Sequence, residues 1–207
     1  MPKYTLHYFG GNGRAIIARA LLCYVKADWT NDLIKKEDWP KIKTSGLCEY
    51  EQVPILEVDG KKYSQSNAIN LYLAEVFNLM GKDPEENYQI TNVLMCFDDF
   101  MRPIWDCMFA PDDKKPELKK KAEEKLKFFF GKFEKKYVDL GKGKHFIGDK
   151  FTLADIVVGA ALPAAVDALG LKECPCKEVA PNLGELIKRL KENELKEFYE
   201  KYYIKYT

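Results

Sequence analysis

Two hydrophobic periods divide the chain. Up to about residue 78, short apolar runs alternate with amphipathic ones, and beyond residue 84 every apolar stretch repeats at helical spacing. Tyr4–Phe9 reads as a strand. Arg14–Val25 reads as a helix, with Ile17, Ala20, Leu21 and Tyr24 on one face. A second strand is expected around Asp28–Ile34. Pro54–Val58 is a third, and the Asp59-Gly60 dipeptide turns it into Lys61–Ser64 as a hairpin. Ser66–Phe77 then predicts a helix that turns Ile69, Tyr72, Leu73 and Val76 toward the sheet. The order is β-α-β followed by β-β-α.

After this α/β segment, residues 1–78, comes a linker over 79–84 that carries turn chemistry and no period. Residues 85–207 predict an all-helical domain. Glu85–Phe109 is a long helix expected to break or bend at Arg102-Pro103. Pro116–Tyr137 is a second, laced with charge pairs four residues apart. Thr152-Leu153-Ala154-Asp155 reads as a capping box, with Thr152 and Asp155 exchanging side-chain and backbone bonds. It introduces Ile156–Leu169, apolar almost all round, which places that helix at the centre of a bundle. Pro181–Leu190 and Glu194–Tyr203 add two shorter helices.

Composition narrows the function classes. The 207 residues are 46% hydrophobic, enough for a sizeable core, and 31% charged. A net charge of +1 offers no field for nucleic acid or an anionic membrane. No apolar run is long enough to span a bilayer, and Met1-Pro2-Lys3-Tyr4 leads into the first strand without a signal-type apolar stretch. The six scattered cysteines read as reduced, which points to the cytoplasm. Cys174-Pro175-Cys176 lacks the second Cys/His pair that zinc would need, and Asp98-Asp99 is too small a cluster, so no metal is expected.

The candidate chemistry starts at Tyr8. It puts a phenol at the carboxyl end of the first strand, next to the turn Gly10-Gly11-Asn12-Gly13-Arg14 and the start of a helix. A hydroxyl there can hydrogen-bond a developing anion. The glycines also invite a dinucleotide-binding reading, with Asp32 at a suitable distance. Ile16, however, stands where that fingerprint needs its third glycine, and the segment is too short for a doubly wound sheet. Val53-Pro54 sets a proline at the first position of a strand, where no ladder donor is lost and a cis peptide is compatible. Gln65-Ser66 opens a helix, with Ser66 a suitable N-cap and the helix end suited to a carboxylate.

Together with Asp38-Trp39-Pro40, Lys43 and the Asp98-Asp99-Phe100-Met101 run, these features resemble the cytosolic glutathione transferases over essentially the whole chain. Within that family they look most like the sigma class, which includes glutathione-dependent prostaglandin D synthases and the S-crystallins. The resemblance implies an α/β thioredoxin-like N-terminal domain, an all-α C-terminal bundle, and a cytoplasmic homodimer that detoxifies small hydrophobic electrophiles with glutathione as co-substrate. It implies no nucleic-acid or membrane partner. Tyr8 would donate its hydroxyl to the glutathione sulfur, with Arg14 orienting or polarising it. Trp39 and Lys43 would meet the glycyl carboxylate. Gln52, Val53 and Pro54 would frame the cysteinyl part, and Gln65 and Ser66 the γ-glutamyl carboxylate. Asp99 of the partner subunit would meet the γ-glutamyl ammonium. Phe9, Arg102, Trp105, Met108 and Phe109 are the candidates for the electrophile site, and Tyr202, Tyr203 and Tyr206 for a covering tail.

The chain departs from the family pattern in two places. The loop Thr44–Gln52 is about two residues longer than usual, and Glu51 replaces the customary glycine. Glu49 and Glu51 are expected to face solvent. Met95 stands where magnesium-sensitive prostaglandin synthases carry an aspartate.

Overall fold

Strand β1 (Tyr4–Phe9) lies inside a four-stranded sheet of order β2-β1-β3-β4. The structure is a computed structural model and describes residues 2–205. Met1 of the opening motif, and Tyr206 and Thr207 of the tail, lie outside the described residues. β1 runs parallel to β2 (Trp29–Ile34), with Tyr8 beside Leu33. A parallel pair needs a crossover, supplied here by α1 (Ile16–Tyr24). β3 (Ile55–Val58) pairs antiparallel with β1 and with β4 (Lys61–Ser64). The β3–β4 turn places Asp59 at φ 46° and Gly60 at φ 85°, the signs that a tight hairpin turn requires.

Helix α3 (Ser66–Val76) packs beside α1. Leu6, Ile17, Leu21, Leu22 and Ile55 are fully buried in this layer, each contributing roughly 1.5–3 kcal/mol of apolar burial. The buried face of α3 is Ser66, Ile69, Asn70, Leu73 and Ala74 rather than the expected stripe. Val76 is 43% exposed, and Tyr72 stacks on Tyr63 at the flank, with ring centres 4.5 Å apart. Ile69 and Leu73 belong to both stripes, so spacing alone could not choose between them. A short helix, α2 (Trp39–Lys43), follows β2 and was not predicted.

The helical region contains α4 (Pro84–Met108), α5 (Lys115–Leu140), α6 (Leu153–Ile156), α7 (Leu162–Ala168), α8 (Cys176–Val179) and α9 (Pro181–Glu192). α4 runs through Pro103 without ending, held by Phe100, Met101, Ile104 and Cys107, which are buried on both sides of it. The central apolar segment is α6, a π-type stretch over Val157–Ala161, and α7. The wider turn precedes Pro163, whose ring cannot accept the normal helical register. The Thr152–Asp155 capping box is present, and Asp155 also accepts from the Phe146 amide at 2.8 Å. Phe100, Phe133 and Phe146 pack edge to face in the core of this region.

The chain groups into two units, one running up to Leu79 and including Leu195–Ile204, the other Met80–Glu194. The last helix, α10 (Lys196–Lys201), therefore belongs with the sheet unit, where it packs on α1. The reading of six reduced cysteines needs one correction. Cys174 and Cys176 are paired across Pro175, their Cα atoms 5.2 Å apart, while Cys23, Cys48, Cys96 and Cys107 are free thiols. No helix among the described residues is long and apolar enough to cross a membrane.

Candidate active site

The turn after β1 is built around the Tyr8 hydroxyl. Gly13–Ala15 forms one 3-10 turn, closed by the Ala15 amide donating to Asn12 O at 3.2 Å. This aims the Arg14 amide at Tyr8 Oη, which accepts from it at 3.0 Å. Gly13, at φ 38°, lies against the hydroxyl, and a Cβ there would collide with it. Burial pushes the Tyr8 phenol above its usual 10.0. The Arg14 amide, then the Arg19 and Arg14 charges, pull the other way. The phenol is therefore protonated at neutral pH. Its oxygen is engaged as an acceptor and its own proton is available to donate.

Arg19 was not singled out in the sequence. It is fully buried, the one charged residue in the apolar helix α1. Its Nη2 donates to Phe9 O at 2.9 Å, its Nε to Asn31 Oδ1 at 3.0 Å, and its Nη1 to Gly11 O. A buried guanidinium is tolerated only with such partners. Two of these acceptors are turn carbonyls, so Arg19 clamps the glycine turn from beneath. The available signal was a lone arginine in Ile16–Tyr24 with no charged neighbour on the helix.

Around this centre the sequence candidates divide. Trp39 opens α2 and meets Phe9 edge to face, with ring centres 5.3 Å apart. Lys43, at the other end of α2, has Nζ 3.4 Å from Glu51 Oε2, with both side chains exposed. Glu49 and Glu51 are both exposed, as expected, yet Glu51 faces Lys43. Glu51 adopts φ 52°, a conformation that suits the glycine it replaces. Gln52 is exposed, and Val53-Pro54 is a cis peptide leading into β3.

Gln65 has φ 70° and ψ 111° and occupies the cap position of α3, with no side-chain cap bond. Ser66, expected as the N-cap, is instead the first helical residue and is 6% exposed. A non-glycine residue held at positive φ at a helix start is a frequent mark of a ligand-facing turn. The first-turn amides of α3 have no acceptor within the helix, which suits that end to a carboxylate. Asp99 is exposed on α4, as are Met95 and Arg102, with Trp105 and Met108 half-buried on the same helix. Trp105 packs against Phe97 at 5.9 Å between ring centres. Phe109, just past the end of α4, is 83% exposed. The described residues contain no cluster of three or more His, Cys, Asp or Glu suited to a metal ion.

The β-α-β and β-β-α order with a cis-proline before the third strand defines a thioredoxin-like domain, here followed by a helical one. Two family models match: the glutathione S-transferase N-terminal domain over residues 4–75, and the glutathione S-transferase C-terminal domain over residues 98–202. Probable glutathione S-transferase 7 of Caenorhabditis elegans is 36% identical over 183 residues, 84% of this chain and 87% of its own. Hematopoietic prostaglandin D synthase of Gallus gallus is 36% identical over 157 residues, 75% of each chain. Among solved structures, the sigma class glutathione transferase of Fasciola hepatica superposes with a TM-score of 0.82 at 26% identity, covering 97% of this chain and 96% of that one. The chain belongs to the glutathione S-transferase family, resembles its sigma class, and is an enzyme with glutathione as co-substrate.

Proposed function

We propose that the enzyme activates the glutathione thiol through Tyr8 and conjugates it to small hydrophobic electrophiles in the cytoplasm. One observation carries this reading: Tyr8 Oη accepts from the Arg14 amide at 3.0 Å, which leaves its own proton to donate to sulfur. A thiol of ordinary pKa, about 8.5, is only a few per cent ionised at neutral pH. Each unit of lowering needs about 1.4 kcal/mol of preference for the thiolate. A hydroxyl donating to an anion is worth roughly 1.5–3 kcal/mol, enough for one to two units. The thiol proton leaves to water. The sulfur lone pair then attacks carbon, the C–S bond forms, and the leaving group departs with its electron pair. Tyr8 stabilises charge and takes no proton in this scheme.

In the proposed complex, Trp39 and Lys43 hold the glycyl carboxylate, and the Val53 main chain, beside Gln52 and Pro54, pairs with the cysteinyl part. Gln65 and Ser66 receive the γ-glutamyl carboxylate at the start of α3. The enzyme acts as a homodimer in which the partner subunit's Asp99 meets the γ-glutamyl ammonium. Phe9, Arg102, Trp105 and Met108 contribute to the electrophile site. The test is steady-state kinetics with a chlorodinitrobenzene. Tyr8→Phe is expected to lower kcat/KM roughly ten- to hundredfold with glutathione affinity nearly unchanged. Full activity in that variant would refute the role given to Tyr8.

The likeness to the Gallus gallus synthase supports a second reading, isomerisation of a prostaglandin endoperoxide. Conjugation consumes one glutathione per turnover and isomerisation returns it, so glutathione consumption measured against product separates the two. Met95, in place of the aspartate of magnesium-sensitive synthases, weighs toward conjugation.

A further inference from the structure

The C-terminal segment is bonded to the turn that carries the Tyr8 partner. Asn12 is 2% exposed, and its side chain exchanges two hydrogen bonds with the main chain of one residue. Nδ2 donates to Ile204 O at 2.6 Å, and the Ile204 amide donates to Oδ1 at 3.1 Å. A paired amide clasp of this kind fixes both position and orientation, much as a strand pair does. The segment it grips is itself anchored: Tyr202 packs on Trp29 with ring centres 4.7 Å apart, and Phe198 is buried. The Tyr202 and Tyr203 amides both donate to Phe198 O at 2.9 Å. Ile204 therefore follows a tethered turn.

From Asn12 the chain leads directly to the hydroxyl. Asn12 O accepts the Ala15 amide that closes the 3-10 turn, Gly13 lies against Tyr8 Oη, and the Arg14 amide donates to it. Arg19 holds the preceding carbonyls of Phe9 and Gly11. Residues 9–11 of the turn are thus gripped by a side chain of α1, and residue 12 by the C-terminal segment. We propose that Asn12 is a positioning residue for Tyr8. Its clasp on Ile204 holds the 3-10 turn so that the Arg14 amide stays aimed at the phenol oxygen, and the C-terminal segment thereby sets how strongly the enzyme activates the thiol. The inference rests on the proposed role of Tyr8.

The test is the pH profile of kcat/KM for the intact enzyme with a chlorodinitrobenzene, alongside the KM for glutathione and the melting temperature. Asn12→Ala removes the clasp from the turn side. Ile204→Pro removes the tail amide without touching the turn. Each is expected to raise the pKa governing kcat/KM by about half to one unit and to lower the neutral-pH rate roughly three- to tenfold. The KM for glutathione should change less than about twofold. The double variant should lose no more than Asn12→Ala alone, since Ile204→Pro removes one of the two bonds that Asn12→Ala already removes. The charged groups facing Tyr8, Arg14 and Arg19, are unchanged in all three. A lower melting temperature with an unshifted pH profile would overturn the inference and leave Asn12 a purely structural clasp, as would additive losses in the double variant. Tyr8→Phe run in parallel separates the failures. If it shifts the profile and the clasp variants do not, only the Asn12 role falls. If it shifts nothing, the Tyr8 reading falls as well.

Discussion

Arg19 Cζ lies 5.6 Å from the centre of the Tyr8 ring, so a fully buried cation sits beneath the phenol that the proposed chemistry uses. The same guanidinium ties Phe9 O and Gly11 O, making it both a charge near Tyr8 and a brace for its turn.

Arg19→Met should therefore have two effects. Removing the donor leaves two carbonyls and Asn31 Oδ1 without it, an expected loss of about 3–5 kcal/mol in urea unfolding. In whatever fraction remains folded, the thiolate loses a nearby positive charge, and the pKa governing kcat/KM should rise. Arg19→Lys keeps the charge but not the three-pronged fork, so it should recover more of the pH profile than of the stability. Equal recovery of both would contradict the separation of roles.

Glu51→Gly tests the odd loop. Glu51 stands at φ 52° and 3.4 Å from Lys43, a residue assigned here to the glycyl carboxylate. Glycine relieves a backbone cost of about 1 kcal/mol but adds freedom to the unfolded chain, so stability should move by less than about 1 kcal/mol. With its competitor gone, Lys43 should bind glutathione better. The KM for glutathione should fall roughly two- to fivefold at low ionic strength, and the gain should shrink in high salt. An unchanged KM would remove Lys43 from the site.

Asp155 gives a pH-dependent contribution to stability. Burial pushes its carboxyl up to about 7, against the pull of the Phe146 and Thr152 amides, the Thr152 hydroxyl and the Arg189 charge. His145, with Nδ1 3.9 Å from Asp155 Oδ1, is pushed down by its own burial. The folded state then holds a proton that the unfolded state releases near 3.8. The resulting stabilisation is complete below about pH 4 and is lost as pH rises toward 7. Urea unfolding of the wild type against Asp155→Asn should show the wild-type advantage shrinking between pH 5 and pH 7.5, roughly the window set by that shift. An advantage that grows with pH would mean the carboxylate is ionised in the fold.

The architecture was legible because its two halves obey different periods: β1, the β3–β4 hairpin, α1 and the buried Ile156–Leu169 stretch all follow from spacing. Tyr8, Gly13 and Arg14 were legible because a strand end, a glycine and a helix start lie adjacent in the chain. Arg19 and Asn12 were not, since all but one of the partners named for them, Asn31 Oδ1, are main-chain atoms. Phe9 O, Gly11 O and the Ile204 peptide leave no mark in residue identity. The choice between Gln65 and Ser66 as cap was hidden for a related reason. It depends on which residue takes positive φ, and side-chain preference favoured the serine. Val76 and Asn70 exchanged places because a short amphipathic helix can turn by one residue and keep Ile69 and Leu73 buried.

The proposed chemistry turns on Tyr8 lowering the pKa of bound glutathione. The direct measurement is the ultraviolet absorbance of the thiolate in the binary complex, titrated with pH for wild type and for Tyr8→Phe. The expected result is a wild-type thiol pKa about one to two units below the free value near 8.5, returned most of the way toward it by the substitution. The same depressed pKa in both proteins would contradict the claim and move the activation to another group.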